Sequence, residues 1–138
     1  MDALDSSVLV ASLVDAEPNH KACAALFEKA GMCVYAHALV ETFNTLSGGR
    51  SGHRLPAQQV AKLLQESIVP YVEVVNLSPK EILATMHEAQ PRGVRGGAIY
   101  DYLHLVVARK ARARRLYTLD VANFKSFHRA GDPEIVHP

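Results

Sequence analysis

Four acidic residues, Asp5, Glu41, Asp101 and Asp120, occupy positions in this sequence where an acid calls for a reason. Asp101 lies in Ala98-Ile99-Tyr100-Asp101-Tyr102-Leu103-His104-Leu105, a run whose apolar positions surround it. An ionised carboxylate buried alone costs many kcal/mol, so the group either protonates or takes a cationic partner. Asp120 closes Leu116-Tyr117-Thr118-Leu119-Asp120, which reads as a short strand with the acid at its carboxyl end, and Asp5 follows the short apolar opening in the same way. Glu41 stands one position from the apolar stripe of Leu39, Val40, Phe43 and Leu46. Brought together, these carboxylates repel one another unless divalent cations lie between them. All are oxygen donors, and no His or Cys set has zinc spacing, so magnesium or manganese is the matching metal. Such an ion keeps several waters, one of which can be deprotonated and aimed at phosphorus. Two of the acids also have a plainer reading: Asp5 as a helix N-cap, where Asp is among the preferred residues, and Glu41 as a solvated helix acid.

The elements that must position these acids alternate along the chain. Met1 to Leu4 reads as a strand and Val8 to Val14 as the helix after it, with Ser6 or Ser7 near the cap. Glu17-Pro18-Asn19 is a turn, His20 to Ala30 a helix closed by Gly31, Cys33 to Ala36 a strand, and His37 to Leu46 a helix. Ser47 to Pro56 reads as a loop of basic character. A helix spans Ala57 to Ile68, Pro70 breaks it, and Tyr71 to Val75 is a strand. Ser78-Pro79-Lys80-Glu81 has the pattern of a capping box with Pro at the first helical position, opening a helix to Ala89. Pro91 to Gly97 is a loop that delivers the Asp101 helix. Val121 to His128 is a short helical segment, and Glu134-Ile135-Val136 a last strand. This order predicts a three-layer α/β/α arrangement around a central, mainly parallel sheet. Parallel strands gather their carboxyl ends on one edge, so Asp5 and Asp120 are expected to share it, with Asp101 and Glu41 projecting toward it from helix openings.

With 138 residues, 49% hydrophobic and 21% charged, the composition is that of a globular protein, read as a single domain over residues 1–138. No apolar run approaches the ~18 residues of a membrane span, and no basic region precedes the first apolar segment, so a cytoplasmic location is expected. Cys23 and Cys33 match no zinc or redox spacing and read as reduced core residues. The net charge of +1 does not mark the whole chain as a nucleic-acid binder. Its distribution is uneven: Arg109, Lys110, Arg112, Arg114 and Arg115 cluster at the end of the Asp101 helix, where they either offset the helix dipole or meet a phosphate backbone.

Taken together, Leu4-Asp5-Ser6-Ser7-Val8-Leu9-Val10, Ala38-Leu39-Val40-Glu41, the stretch from Gly97 to Leu105, and Tyr117-Thr118-Leu119-Asp120 with Phe124 after it resemble a PIN domain. Among PIN domains the chain most resembles the VapC toxins of bacterial and archaeal toxin–antitoxin pairs, over nearly its whole length and in the family's order. The resemblance implies a three-layer PIN-like fold and a metal-dependent endoribonuclease, using Mg2+ or Mn2+, that hydrolyses phosphodiesters of single-stranded or loop RNA. It also implies a homodimer held inactive by a small cognate antitoxin. The catalytic and metal-holding roles carry over to Asp5, Glu41, Asp101 and Asp120, and Thr118 takes the family's polar position two residues before the last acid. Many members have Asn two residues after the first Asp. Here Ser7 stands there, a shorter hydrogen-bonding group expected to support the acids rather than bind metal. Arg95, Arg109 and Arg112 are the expected RNA contacts.

His37 lies four residues before Glu41 and His104 three after Asp101, so each shares a helix face with an expected ligand. Each reads either as a general base or as a histidine satisfied at the edge of the core. Two readings of other classes stand beside the nuclease. One is a catalytically silent PIN-like module that holds RNA or protein through the basic segment and the loops around Arg50 and Arg95. The other is phosphotransfer through Asp5 as nucleophile, for which Ser7 stands where a second Asp is wanted. Apolar faces on His20 to Ala30 and Ala57 to Ile68 read either as core or as dimer or antitoxin surface.

Overall fold

The computed structural model describes residues 1–138. Five strands, β1 (Asp2–Leu4), β2 (Met32–Tyr35), β3 (Glu73–Val75), β4 (Arg115–Tyr117) and β5 (Glu134–Val136), form one sheet in the order β3-β2-β1-β4-β5. Every pairing is parallel. Between the strands run α1 (Ser6–Leu13), α2 (His20–Leu26), α3 (Ala36–Gly48), α4 (Ala57–Ser67), α5 (Pro79–Ala89), α6 (Ala98–Lys110) and α7 (Val121–Phe127).

Successive strand side chains point to opposite faces, and the short strands sort accordingly. Leu4, Val34 and Tyr117 pack with Val8, Leu9, Leu26, Leu46 and Val60 from α1 to α4. Their neighbours Ala3, Cys33 and Leu116, with Ile135, pack with Tyr102, Leu105, Phe124 and Phe127 from α6 and α7. The expected three-layer α/β/α arrangement is therefore present. Its handedness follows from topology: crossovers between parallel strands are right-handed, so a chain that steps one way from β1 to β3 lays its helices on one face and, stepping back to β4 and β5, on the other. Cys23 and Cys33 are buried and unpaired, as expected. No helix is long and apolar enough to cross a membrane.

Several boundaries differ from the sequence reading. The second helix ends at Leu26, not Ala30, because the amides of Phe27 and Lys29 turn back on Ala24 and Leu26 at three-residue spacing. Val69–Tyr71 is a single 3-10 turn around Pro70, so β3 begins only at Glu73. The α3 helix runs on to Gly48 and stops at Gly49, whose φ of 79° suits a residue without a Cβ. Its apolar stripe is split: Leu46 is buried, while Val40 and Phe43 are exposed. On α4, Val60 and Leu64 are core. The Ser78–Glu81 capping box is formed at both of its hydrogen bonds.

One polar network ties the α5–α7 layer together. Asp132, in the turn before β5, accepts from the Arg92 guanidinium and, at 2.9 Å, from the Arg129 amide, and lies 3.7 Å from Nη1 of Arg109. Arg109 reaches on to Glu88, which also accepts from the Tyr102 hydroxyl at 2.6 Å. Burial pushes the Asp132 carboxyl up, but the hydrogen bonds from Arg92 and Arg129 and the charges of Arg92 and Arg109 prevail and hold it below the usual range. A carboxylate with a lowered native pKa stabilises the fold above its unfolded value, and the contribution fades as pH falls. Asp132→Asn should therefore cost about 3 kcal/mol at neutral pH by leaving arginine charge unpaired. Denaturation at a series of pH values should show the difference from the unsubstituted chain narrowing toward acid.

Candidate active site

The strand order reverses between β1 and β4, and in open α/β sheets the crevice beyond the carboxyl ends of such strands is where ligands bind. Asp5 directly follows β1 and caps α1, its Oδ1 accepting the Ser6 amide at 2.7 Å. Its Oδ2 accepts from Ser7 Oγ at 2.8 Å and from Thr118 Oγ1 at 2.9 Å. The cap reading of Asp5 is thus met by a side chain that is 4% exposed and lies at the crevice. Ser7 Oγ also accepts the Leu119 amide at 3.1 Å, and Thr118 Oγ1 the Asp120 amide at 3.0 Å. Each hydroxyl gives its proton to Asp5 and uses its lone pairs to pin the segment after β4, so Ser7 and Thr118 fasten the two sides of the crevice.

Glu41 comes from the second turn of α3. Its Oε1 lies 2.8 Å from Nε2 of His104, and its Oε2 accepts from Ser6 Oγ at 3.1 Å. Ser6 Oγ is also 3.3 Å from Asp5 Oδ1, so one hydroxyl bridges two carboxylates with one proton. His104 is 2% exposed, lies 3.7 Å from Asp5 Oδ1, and leaves Nδ1 without a partner. Burial opposes a charge on its ring, but the hydrogen bond to Glu41 and the charges of Asp5, Glu41 and Asp101 outweigh it and raise its proton affinity. Burial likewise pushes Glu41 up, and the His104 hydrogen bond and charge, with Ser6, bring it below the ordinary range. His104 is too enclosed to reach a substrate, and its Nε2 contact braces the Glu41 carboxylate. His37 takes no hydrogen bond from these acids. It stacks against Tyr100 instead.

Asp101, half-buried in the first turn of α6, is pushed up to about 6, first by burial and then by the charges of Asp5 and Glu41, against the opposing pull of His104 and the Asn123 amide. Asp120 is exposed and caps α7, its Oδ1 accepting the Asn123 amide at 3.4 Å. Asn123 also donates through its side chain to Asp101. The structure therefore brings Asp5, Glu41 and Asp101 within reach of one another's charge. It attaches Asp120 at the rim through Thr118 and Asn123. Two residues escaped the sequence reading as parts of the site. Asn123, three positions after an Asp N-cap, carried the signal, because the first helical turn returns that side chain to the capped end. Ser6 was read as a cap neighbour, and nothing in the sequence shows that its hydroxyl reaches Glu41.

The cations are distributed differently from the expectation. Arg95 stands exposed in the loop that leads into α6. Arg109 is engaged by Glu88 and Asp132, and Arg112, with a φ of 55°, turns the chain from α6 into the amino end of β4, across the sheet from Asp5. Lys110 pairs with Glu81 at 2.8 Å, Arg114 lies 3.8 Å from Asp2, and Arg115 lies 3.6 Å from Glu134. Most of the basic cluster is thus compensated within the fold.

The donor set bears on a metal. No group of three or more His, Cys, Asp or Glu side chains is placed so as to hold a metal ion among themselves. Magnesium does not need one, since it is commonly held by one or two carboxylates and otherwise by water and phosphate oxygens. Asp101, pushed up to about 6 first by burial, lies within range of the Asp5 and Glu41 charges, and oxygen donors of this kind match such an ion in chemistry and charge.

The chain matches the family model described as PIN domain over residues 3–130. No curated protein matches it in sequence. Among solved structures it resembles VapC20 of Mycobacterium tuberculosis, a sarcin–ricin loop cleaving toxin, at 21% identity and a TM-score of 0.73 over 100% of both chains. It also resembles a toxin–antitoxin complex from Klebsiella pneumoniae (18% identity, TM-score 0.65, 100% of this chain and 98% of that one). FitAcB of Neisseria gonorrhoeae is similar at 17% identity and a TM-score of 0.69, over 100% and 98% of the two chains. With a family match across nearly its full length and neighbours of the same fold, the chain belongs to the PIN-domain family.

Proposed function

We propose that this chain is a metal-dependent endoribonuclease and the toxin of a toxin–antitoxin pair. The observation that carries the reading is the meeting of Asp5, Glu41 and Asp101 at the point where the strand order reverses, with the Asp101 carboxyl raised to about 6 first by burial and then by the charges of Asp5 and Glu41. Asp5, Asp101, Glu41 and the rim carboxylate Asp120 would hold Mg2+ or Mn2+, which supplies a deprotonated water and offsets charge on the phosphate oxygens. This chain's own groups do the positioning. Ser7 and Thr118 fix the Asp5 carboxylate, His104 and Ser6 fix Glu41, and Asn123 links Asp101 to Asp120. Arg95, exposed in the loop before the Asp101 helix, would meet a flanking phosphate, whereas Arg109 and Arg112 would serve only an RNA long enough to pass around the domain. The solved neighbours described as toxin–antitoxin complexes support a small protein partner. Val40 and Phe43 on α3 and Leu83 and Met86 on α5 are exposed apolar residues for antitoxin or homodimer contact.

Purified chain should cut a mixed pool of structured and single-stranded RNA with magnesium or manganese and not with chelator, and Asp101→Ala should lower the rate by at least about 100-fold with the fold intact, the scale on which metal-site catalysis depends on its ligands. Unchanged cleavage by an Asp5→Asn, Asp101→Asn double variant would remove the assignment. Salt-sensitive RNA binding without cleavage would favour the silent binding module.

Asp101 adds a pH dependence with a definite sign. Its native pKa lies above its unfolded value, so the folded state holds the extra proton and the associated stability is lost as pH rises through about 6. Metal-free chain should lose thermal stability through that range, and manganese should restore it by pairing the ionised carboxylate. In Asp5→Asn, the Asp101 midpoint followed by carboxyl NMR should fall toward the ordinary range.

A further inference from the structure

Beside the carboxylates lies a feature the nuclease reading does not use. Tyr100, immediately before Asp101, is 55% exposed. Its ring lies nearly parallel to that of His37, with centroids 5.9 Å apart and planes 14° from each other. His37 in turn leans on the buried ring of Tyr35, which packs edge-on against His104, the residue that holds Glu41. An aromatic row thus runs from the Glu41 carboxylate outward to an exposed tyrosine. Between Tyr100 and α3 opens a cleft of about 390 Å³ lined by His37, Val40, Glu41, Asn44 and Tyr100. A second cleft, sharing Asn44, continues along α3 to Arg50 and Ser51.

We propose that Tyr100, backed by His37, is a stacking shelf for an unpaired nucleobase next to the phosphate held at the Asp5–Glu41–Asp101 centre. The proposal rests on the nuclease reading and adds to it a subsite for one unstacked base. Three observations choose this occupant. The ring is one residue from a metal-holding carboxylate, so a nucleotide with its phosphate at the centre sets a base beside it. The cleft offers an aromatic face together with an amide, Asn44, that can donate to and accept from a base edge. The ring is already braced by His37, so stacking costs little further side-chain freedom. Bases in a duplex present no free face to such a shelf, and stacking on aromatic side chains tolerates any base sequence.

Binding in chelator separates the shelf from catalysis. The probe is a short, fluorescein-labelled single-stranded oligoadenylate, compared with the same strand annealed to oligouridylate. Tyr100→Ala should weaken binding of the single strand about 5- to 100-fold, the range for losing one base–aromatic stack, while Tyr100→Phe keeps it. The chain has no tryptophan, so Tyr100→Trp adds a single indole, whose emission single-stranded RNA should quench and duplex should not. Unchanged affinity in Tyr100→Ala, or unquenched emission while RNA is bound, would overturn the shelf. So would a shift of Tyr100→Ala to a smaller species in size-exclusion chromatography, which would mark Tyr100 as a contact between copies of the chain. Manganese-dependent cleavage by the unsubstituted chain is scored separately. If it persists while Tyr100 proves irrelevant, the shelf alone falls, and if the unsubstituted chain neither binds nor cuts RNA, both readings fall.

Discussion

Three carboxylates held close together are the constraint around which the rest of this structure is arranged. Like charges gathered in one crevice repel one another, and a fold that gathers them must supply compensation at every contact. It does so with short, fixed donors: the Ser6 amide and the Ser7 and Thr118 hydroxyls on Asp5, the His104 ring and Ser6 hydroxyl on Glu41, and the Asn123 amide on Asp101. Compensation is uneven, since Asp101 has the fewest donors, and burial with the neighbouring charges pushes it up to about 6. The unsettled charge is therefore concentrated on the residue closest to the exposed shelf of Tyr100.

That arrangement depends on backbone more than on side-chain reach. Serine and threonine hydroxyls extend only a bond or two from the chain, so Ser7 and Thr118 can grip Asp5 only because β1 and β4 are adjacent and parallel, in a register that sets Leu4 opposite Tyr117. The amide of Asp5 is itself bonded to the Tyr117 carbonyl at 3.0 Å, extending the ladder by one residue to the rim of the site. A slip of one residue in that pairing would turn Ala3 and Leu116 to the wrong helical layer and carry Thr118 away from Asp5. Core packing and site geometry are thus enforced by the same pairing.

The opposite edge of the sheet shows a different economy of charge. Arg92, Arg109, Lys110, Arg114 and Arg115 lie near acids of neighbouring elements, and the Asp132 network fastens the layer that carries Asp101 and Asn123. Positive charge dense in the sequence is mostly consumed in holding the second layer together. Under the proposed function, a domain of net charge +1 would meet RNA at one crevice rather than over a broad surface.

The sequence by itself determined the alternation of strand and helix, and with it the parallel sheet and the shared edge where Asp5 and Asp120 emerge. These follow from local periodicity, caps and breakers, which act over a few residues, as at Ser78–Glu81. It also determined which acids were unusual, because an acid among apolar neighbours is visible without a fold, and the motif order was specific enough to indicate the family. Tertiary structure alone decided how those acids are compensated. The contact of His104 with Glu41 joins residues 63 positions apart, and that of Thr118 with Asp5 joins residues 113 apart. No local signal encodes such distances. It decided as well that Val40 and Phe43 leave the core, since α3 packs through Ala38, Thr42 and Leu46 while its other face borders the crevice. Finally, it settled the basic cluster: charge spacing along a chain cannot tell an arginine facing solvent from one facing Asp132, because pairing depends on which elements the sheet order brings side by side.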